Sequence, residues 1–253
     1  MRRADALDDA APSTQGAASD PLAAPQTAAA LPQASAAAPI NQVAPSTTQP
    51  ADPTQATTIA QTLKASSGLV WLKTPPEFQT HWAFAYGSLI WSPEFEFEER
   101  IKATIHGYHR AFCVNSHQYR GTPEAPGVVL GLDEGGHCEG IVYRLKAGHE
   151  AEILDEIYNR EMLNDVYVPR LFDVTLPDGR TVKALSFVAN RGNDDAYVNG
   201  PREEILRRLR QCVGFRGPNR DYALNTQAAL RQWGIGDAEL DALIEEMEAP
   251  SRG

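Results

Sequence analysis

An α+β fold, with a small curved or closed sheet covered by helices, is what this sequence predicts. Three observations point to it. Strand-like segments come first in the patterned part of the chain, one helical stretch is embedded among them, and everything from residue 201 onward reads as helix. No GxGxxG, no phosphate-binding P-loop and no repeating strand–helix–strand unit is present, which disfavours a nucleotide-binding sheet.

Residues 1–67 are a low-complexity stretch of Ala, Pro, Gln, Ser and Thr, and the first aromatic residue is Trp71. Such a segment cannot bury enough apolar area to offset its chain entropy, so it is expected to be a disordered tail, with the folded domain occupying residues 68–253. The net charge is −10 over 253 residues and there is no long Lys/Arg run, which argues against nucleic acid as a partner. Arg207, Arg208 and Arg210 stand among acidic neighbours and read as a solvated helix face. No apolar run is long enough to span a bilayer. The basic start Met1-Arg2-Arg3 runs into Asp5, Asp8 and Asp9, so a secretory signal is not expected. Cys113, Cys138 and Cys212 are odd in number and lack metal-ligand spacing; they read as reduced thiols of a cytoplasmic protein without a metal site. The default oligomeric state is a monomer.

The first strand is Trp82-Ala83-Phe84-Ala85-Tyr86. Its bulky residues fall on one face and its alanines on the other, so a second layer can approach closely. It stops at Gly87-Ser88, followed by Leu89, Ile90 and Trp91. A strand running into Gly-Ser can expose several backbone N–H groups as an anion-binding concavity, or it can be an ordinary glycine turn. After Pro93 and an acidic-aromatic loop at 94–99, strands are expected at 102–106 and 110–116. A Pro/Gly-rich loop spans 119–127, long enough to carry function. Strands at 128–132 and 138–145 flank Asp133-Glu134-Gly135-Gly136. A helix over 149–162 has an apolar stripe of Ile153, Leu154, Ile157 and Tyr158 and a polar face of Glu152, Asp155, Glu156 and Asn159. Strands at 166–176 and 181–190 are joined by Pro177-Asp178-Gly179-Arg180, a hairpin signal. Helices are expected over 201–213, 219–233 and 237–247, with Pro201, Asn219 and Asp237 as starts and Gly214 and Gly234 as stops.

One residue breaks the pattern. Glu161 lies four residues after Ile157 and seven after Leu154, so it extends the apolar stripe. A buried carboxylate at a helix C-terminus is disfavoured by desolvation and by the helix dipole, and both raise its pKa toward the range of a general acid/base. The competing readings are a helix-end glutamate reaching to water, or one paired to Arg144 or Arg170.

These segments assemble into a set that resembles the ChaC-type γ-glutamylcyclotransferases. Tyr86-Gly87-Ser88-Leu89-Ile90-Trp91 resembles the family's YGSL-[IV]-W signature, and Arg120-Gly121-Thr122-Pro123 with Pro126-Gly127 its RGTPE-x-PG loop. Gly140-Ile141-Val142-Tyr143-Arg144-Leu145 is similar to G-x-AYRL, Arg160-Glu161-Met162 to REM, and Gly217-Pro218-Asn219-Arg220-Asp221-Tyr222 to G-x-N-x-EY. The motifs occur in family order between about residues 82 and 243. The resemblance implies a small barrel-like mixed sheet flanked by helices. It also implies cleavage of glutathione to 5-oxoproline and cysteinyl-glycine, by attack of the substrate's own α-amine on its γ-carbonyl, without metal or organic cofactor. By resemblance Glu161 is the catalytic carboxyl, and the turn from Tyr86 to Trp91 and Tyr222 bind substrate; locally Tyr222 would pass for a core tyrosine. Arg120 either meets a substrate carboxylate or braces its loop through a carbonyl or Glu124. Asn164-Asp165-Val166-Tyr167 replaces a commoner TGAY, and 193–197 replaces HP-x-Y, so the preference for the leaving amine is the part the resemblance carries least. Ring closure on other γ-glutamyl amines is one alternative. A non-catalytic regulatory module linked to cation transport is the other, and the intact Glu161 argues against it.

Overall fold

The structure, a computed structural model, describes residues 71–162 and 165–250. The expected tail and its boundary at residue 67 lie outside the described residues.

Five strands close into a mixed barrel: β1 (Trp82–Ala85), β2 (Phe97–Ser116), β3 (Gly127–Leu145), β4 (Tyr167–Thr175) and β5 (Thr181–Ala189), in the order β1-β3-β2-β4-β5. Neighbours are antiparallel along this order, as in Ala85↔Ile141 and Leu171↔Leu185. Closure comes from parallel contacts of β5 with β1 at Ala83↔Leu185 and with β3 at Leu132↔Val188. Period-two alternation sets the inside of the barrel. Phe84 and Tyr86, Leu130 and Leu132, Phe172 and Val174, Ala184 and Val188 belong to one buried cluster. Ala83 and Ala85 face outward into two other clusters, where their small side chains admit covering layers.

Four expected strands merge into two. The pairs at 102–106 with 110–116, and 128–132 with 138–145, are the long strands β2 and β3, which pair from Phe97↔Leu145 to Ser116↔Gly127. Gly107, Gly135 and Gly136, all at positive φ, sit where the register shifts between His106 and Tyr108. The glycines that looked like a turn therefore form a bulge that bends a continuous ribbon. The acidic-aromatic loop is shorter than expected, because β2 already begins at Phe97.

Helix α1 (Glu150–Glu161) covers one outer face with Ile153, Leu154 and Ile157. Full burial of each such side chain is worth about 1.5–3 kcal/mol. Asp155, expected on the polar face, is buried. It accepts from the Thr74 N–H at 2.8 Å and from Lys73 Nζ at 2.6 Å, and Asn159 brackets the Leu72 backbone, so residues 72–74 lie over that face. Helices α2 (Arg202–Gln211), α3 (Asn219–Gln232) and α4 (Ala238–Glu248) cover the other face, with a two-stranded turn of β6 (Val213–Gly214) and β7 (Gly217–Pro218) between α2 and α3.

Of the expected helix signals, Asp237 caps α4 by accepting from the Leu240 N–H at 3.0 Å, and Gly234 follows the end of α3 at φ +62°. Two others act differently. Asn219 does not cap α3; its fully buried amide bonds the backbone N–H and carbonyl of Val128 at 2.7 Å each and ties the helix start to β3. Gly214 is no stop signal, since α2 has ended before it. A side chain there would collide with the backbone from Tyr119 to Gly121, which passes within 2.6 Å of the Cβ position.

Candidate active site

One pocket gathers residues from the turn after β1, the loop after β2, the end of α1, the start of β4, the β6–β7 turn and α3. Ser88, Trp91, Arg120, Glu161 and Tyr222 line it, as do Arg160, Tyr167 and Arg216.

Glu161 is the last residue of α1, and its side chain is only 16% exposed. The apolar stripe carries it inward as its periodicity predicts. Burial pushes its pKa up and Glu94 adds to the rise, while the charges of Arg160 and Arg216 oppose it; the net shift is upward. Its close cation is Arg160, with Nε 3.3 Å from the carboxyl. Neither expected partner is used: Arg144 pairs with Glu98 and Glu99, and Arg170 lies over the Tyr108 ring.

Arg160 also fixes where the carboxyl sits. Its NH1 donates to the Ser92 carbonyl at 3.0 Å and to Glu94 at 3.2 Å, and its NH2 donates to Ser88 Oγ at 3.0 Å. The end of α1 is thereby bolted to the turn after β1. Glu94 is the shared anion of this wall, bonded to Arg160, Arg216 and Ser92. Burial pushes its carboxyl up, but the two arginines and Ser92 together hold it below the usual carboxylate range.

The turn itself is a 3-10 helix over Ser88–Ile90. The Ile90 N–H bonds the Gly87 carbonyl at 3.0 Å, so Ile90 is not among the free donors expected of this stretch, and the Leu89 and Ile90 side chains are in the core rather than in the pocket. The N–H groups of Gly87, Ser88 and Leu89 open the turn, where a helix has no acceptor of its own to offer. Arg110 anchors the peptide just before it, donating from Nε to the Tyr86 carbonyl at 2.6 Å.

Tyr86, Tyr167 and Tyr222 are coupled to one another, and the Glu161 charge raises the pKa of each. Tyr86 does not line the pocket; its hydroxyl donates to the Phe187 carbonyl at 2.9 Å. Leu130 joins the other two, accepting from Tyr167 at 3.0 Å and donating its N–H to the Tyr222 oxygen at 3.2 Å. That bond leaves the Tyr222 proton free to donate. The hydroxyl lies 3.2 Å from the position a Cβ on Gly87 would take, so it faces the glycine corner. Burial raises all three phenol pKa values and keeps them protonated.

Trp91 lines the pocket and donates from Nε1 to Thr226 at 3.2 Å. Arg120 lies against the Tyr222 ring and uses NH1 on the carbonyls of Arg216 and Pro218, at 2.6 and 3.2 Å. Of its two readings the bracing one fits, with Arg216 and Pro218 in place of Glu124. Sequence reasoning passed over Arg160, Tyr167 and Arg216. The first two stand inside segments that carry the resemblance or depart from it; Arg216 precedes Gly217-Pro218 and carries no signal of its own. Among the described residues, no group of three His, Cys, Asp or Glu is placed to hold a metal ion.

An enclosed carboxyl with a raised pKa, in one pocket with Ser88 and a protonated phenol, can take up and return a proton beside a group that becomes negative. The comparisons with known proteins agree on one lineage. A model of the family described as ChaC-like protein matches residues 81–250. The Escherichia coli (strain K12) protein named glutathione-specific gamma-glutamylcyclotransferase is 34% identical over 182 residues, which is 72% of this chain and 78% of that protein. The Arabidopsis thaliana protein named gamma-glutamylcyclotransferase 2-3 is 31% identical, over 66% of this chain and 87% of that one. A crystal structure of a yeast γ-glutamyl cyclotransferase specific to glutathione superposes with a TM-score of 0.61 at 23% identity, covering 67% of this chain and 96% of that one, and shows that the fold is shared. The chain belongs to the ChaC-like family.

Proposed function

We infer that this chain is a glutathione-specific γ-glutamylcyclotransferase, a carbon–nitrogen lyase that converts glutathione to 5-oxoproline and cysteinyl-glycine. The activities named for its relatives support the reaction. One observation carries the mechanism: the Glu161 carboxyl is held out of bulk water, with a raised pKa, in the same pocket as Ser88 and Tyr222.

In this reading Glu161 takes a proton from the substrate's α-ammonium, and the freed nitrogen attacks the γ-carbonyl carbon. A five-membered ring forms and the carbonyl oxygen becomes an oxyanion. As the intermediate collapses, the carbon–nitrogen bond to cysteine breaks and the Glu161 acid protonates the departing nitrogen. Both protons that leave the α-nitrogen end on the cysteinyl amine, so no water is consumed. The N–H groups of Gly87, Ser88 and Leu89, with the Tyr222 hydroxyl, are the donors for the oxyanion and the α-carboxylate. Losing one such donor costs roughly 3–4 kcal/mol of transition-state stabilisation. Trp91 and Tyr222 hold the γ-glutamyl chain folded on itself, an orientation worth several kcal/mol by effective-molarity arguments. Tyr86 packs in the same buried cluster as Tyr222, and Arg120 holds the turn that opens α3.

The test is product identity in ¹⁸O-water. Release of 5-oxoproline without solvent oxygen, equimolar with cysteinyl-glycine, is the expected result. Glutamate carrying one solvent oxygen would mean hydrolysis and would overturn the reading.

A further inference from the structure

Glutathione carries a carboxylate at each end. The first lies beside the reacting amine and belongs at the Glu161 and Ser88 end of the pocket. The second closes the leaving dipeptide, two residues from the scissile nitrogen, an extended reach of about 7 Å. A group that reads it must stand about that far from Glu161, toward the exit.

Three guanidinium groups line the pocket, and two are occupied. Arg120 is buried and bonded to carbonyls. Arg160 uses Nε, NH1 and NH2 on Glu161, Ser92, Glu94 and Ser88. Arg216 differs. Its NH1 bonds Glu94 at 3.2 Å, and among the described residues its Nε and NH2 have no partner. Its guanidinium lies 4.9 Å over the Tyr119 ring and the side chain is 39% exposed. The backbone beneath is fixed at both ends: the Arg216 N–H bonds the Tyr119 carbonyl at 2.9 Å, and its own carbonyl accepts from Arg120. Arg216 makes no ion pair with Glu161, yet its charge is felt there. A stacked, backbone-anchored arginine with an open donor edge is the arrangement that grips a carboxylate through two parallel bonds.

We propose that Arg216 is the specificity-determining residue that binds the C-terminal carboxylate of the leaving cysteinyl-glycine. The proposal rests on the cyclotransferase reading and names the side chain that reads the far carboxylate of its substrate. Glu94 and Tyr119 hold the guanidinium at the pocket wall from two sides.

The test compares glutathione with its C-terminal carboxamide on the wild type, Arg216→Ala and Arg216→Lys, reading 5-oxoproline release. A charge-assisted bond of this kind corresponds to about tenfold to a hundredfold in kcat/KM. The wild type is expected to prefer glutathione by that factor. In Arg216→Ala the preference falls to within about threefold of unity through a higher KM for glutathione, and Arg216→Lys is intermediate because it keeps the charge without the fork. Loss of folded protein lowers both substrates together and leaves the ratio unmoved. A preference retained in Arg216→Ala, or absent from the wild type, overturns the proposal while the cyclotransferase reading stands. No 5-oxoproline from either substrate with any of the three proteins sinks both.

Discussion

Glu161 and Arg160 are neighbours in sequence with opposed effects. Burial favours the protonated form of Glu161, and the Arg160 charge pulls the other way. Arg160→Gln should therefore raise the Glu161 pKa further and move the acid limb of the kcat/KM profile to higher pH, since that limb reports the base in the free enzyme. A limb that stays in place, or moves to lower pH, would mean that Arg160 does not tune this group. The same raised pKa makes a stability prediction. In the unfolded chain Glu161 titrates at an ordinary value of about 4.3, while the folded protein keeps the proton to higher pH. Between those values the native state binds more protons, so stability falls as pH rises through the window. Glu161→Gln removes that penalty. It should melt at a higher temperature than the wild type above the window and at the same temperature below about pH 4. A variant that is less stable at neutral pH would contradict the burial argument. The position of Glu161 was legible from spacing alone, because one carboxylate continued an apolar stripe. Arg160 was not: an arginine beside a glutamate on a helix looks solvent-facing until the turn after β1 is folded against it.

At the scale of elements, Arg110 and Asp237 join the barrel to the helical layer. Arg110 is 3% exposed and bonds Asp237 at 2.5 Å, the Tyr86 carbonyl and the Glu139 carbonyl. Asp237 also caps α4. Asp237→Ala removes the cap and strands a buried cation, so urea unfolding should show a loss of about 3–5 kcal/mol. A loss under 1 kcal/mol would mean water already satisfies Arg110. Helix α1, the β4–β5 hairpin and the C-terminal helices were readable in the sequence, because each has strong periodicity and local end signals. The long β2–β3 ribbon was not, because Gly135-Gly136 signals a turn as strongly as it signals a bulge, and only the pairing of β2 with β3 on both sides of the register shift decides between them. Asp155 and Asn159 read as polar face for a related reason. The backbone that covers them, residues 72–74, comes from more than 80 residues away.

For the whole molecule, the family match over residues 81–250 and the strap at 72–74 mark the part of the chain that builds the barrel and its pocket. Deleting residues 1–67 should therefore leave kcat/KM for glutathione within about twofold, as expected for a dispensable terminus. A larger drop, or loss of folded protein, would assign the tail a part in the domain. The barrel was legible only as a curved or closed sheet; its closure depends on parallel contacts of β5 with β1 and β3, which no local pattern encodes. The folded chain brings Ser88, Glu161, Tyr167 and Tyr222 to one pocket, where Glu161 is proposed to move the protons. The most direct measurement is single-turnover release of 5-oxoproline at saturating glutathione, wild type against Glu161→Gln, with glutathione affinity measured on both proteins by calorimetry. Proton transfer by Glu161 predicts a rate lower by about 10²–10⁴ in the variant, as for loss of a general acid/base, with Kd little changed. A Glu161→Gln rate within a few-fold of the wild type would contradict it.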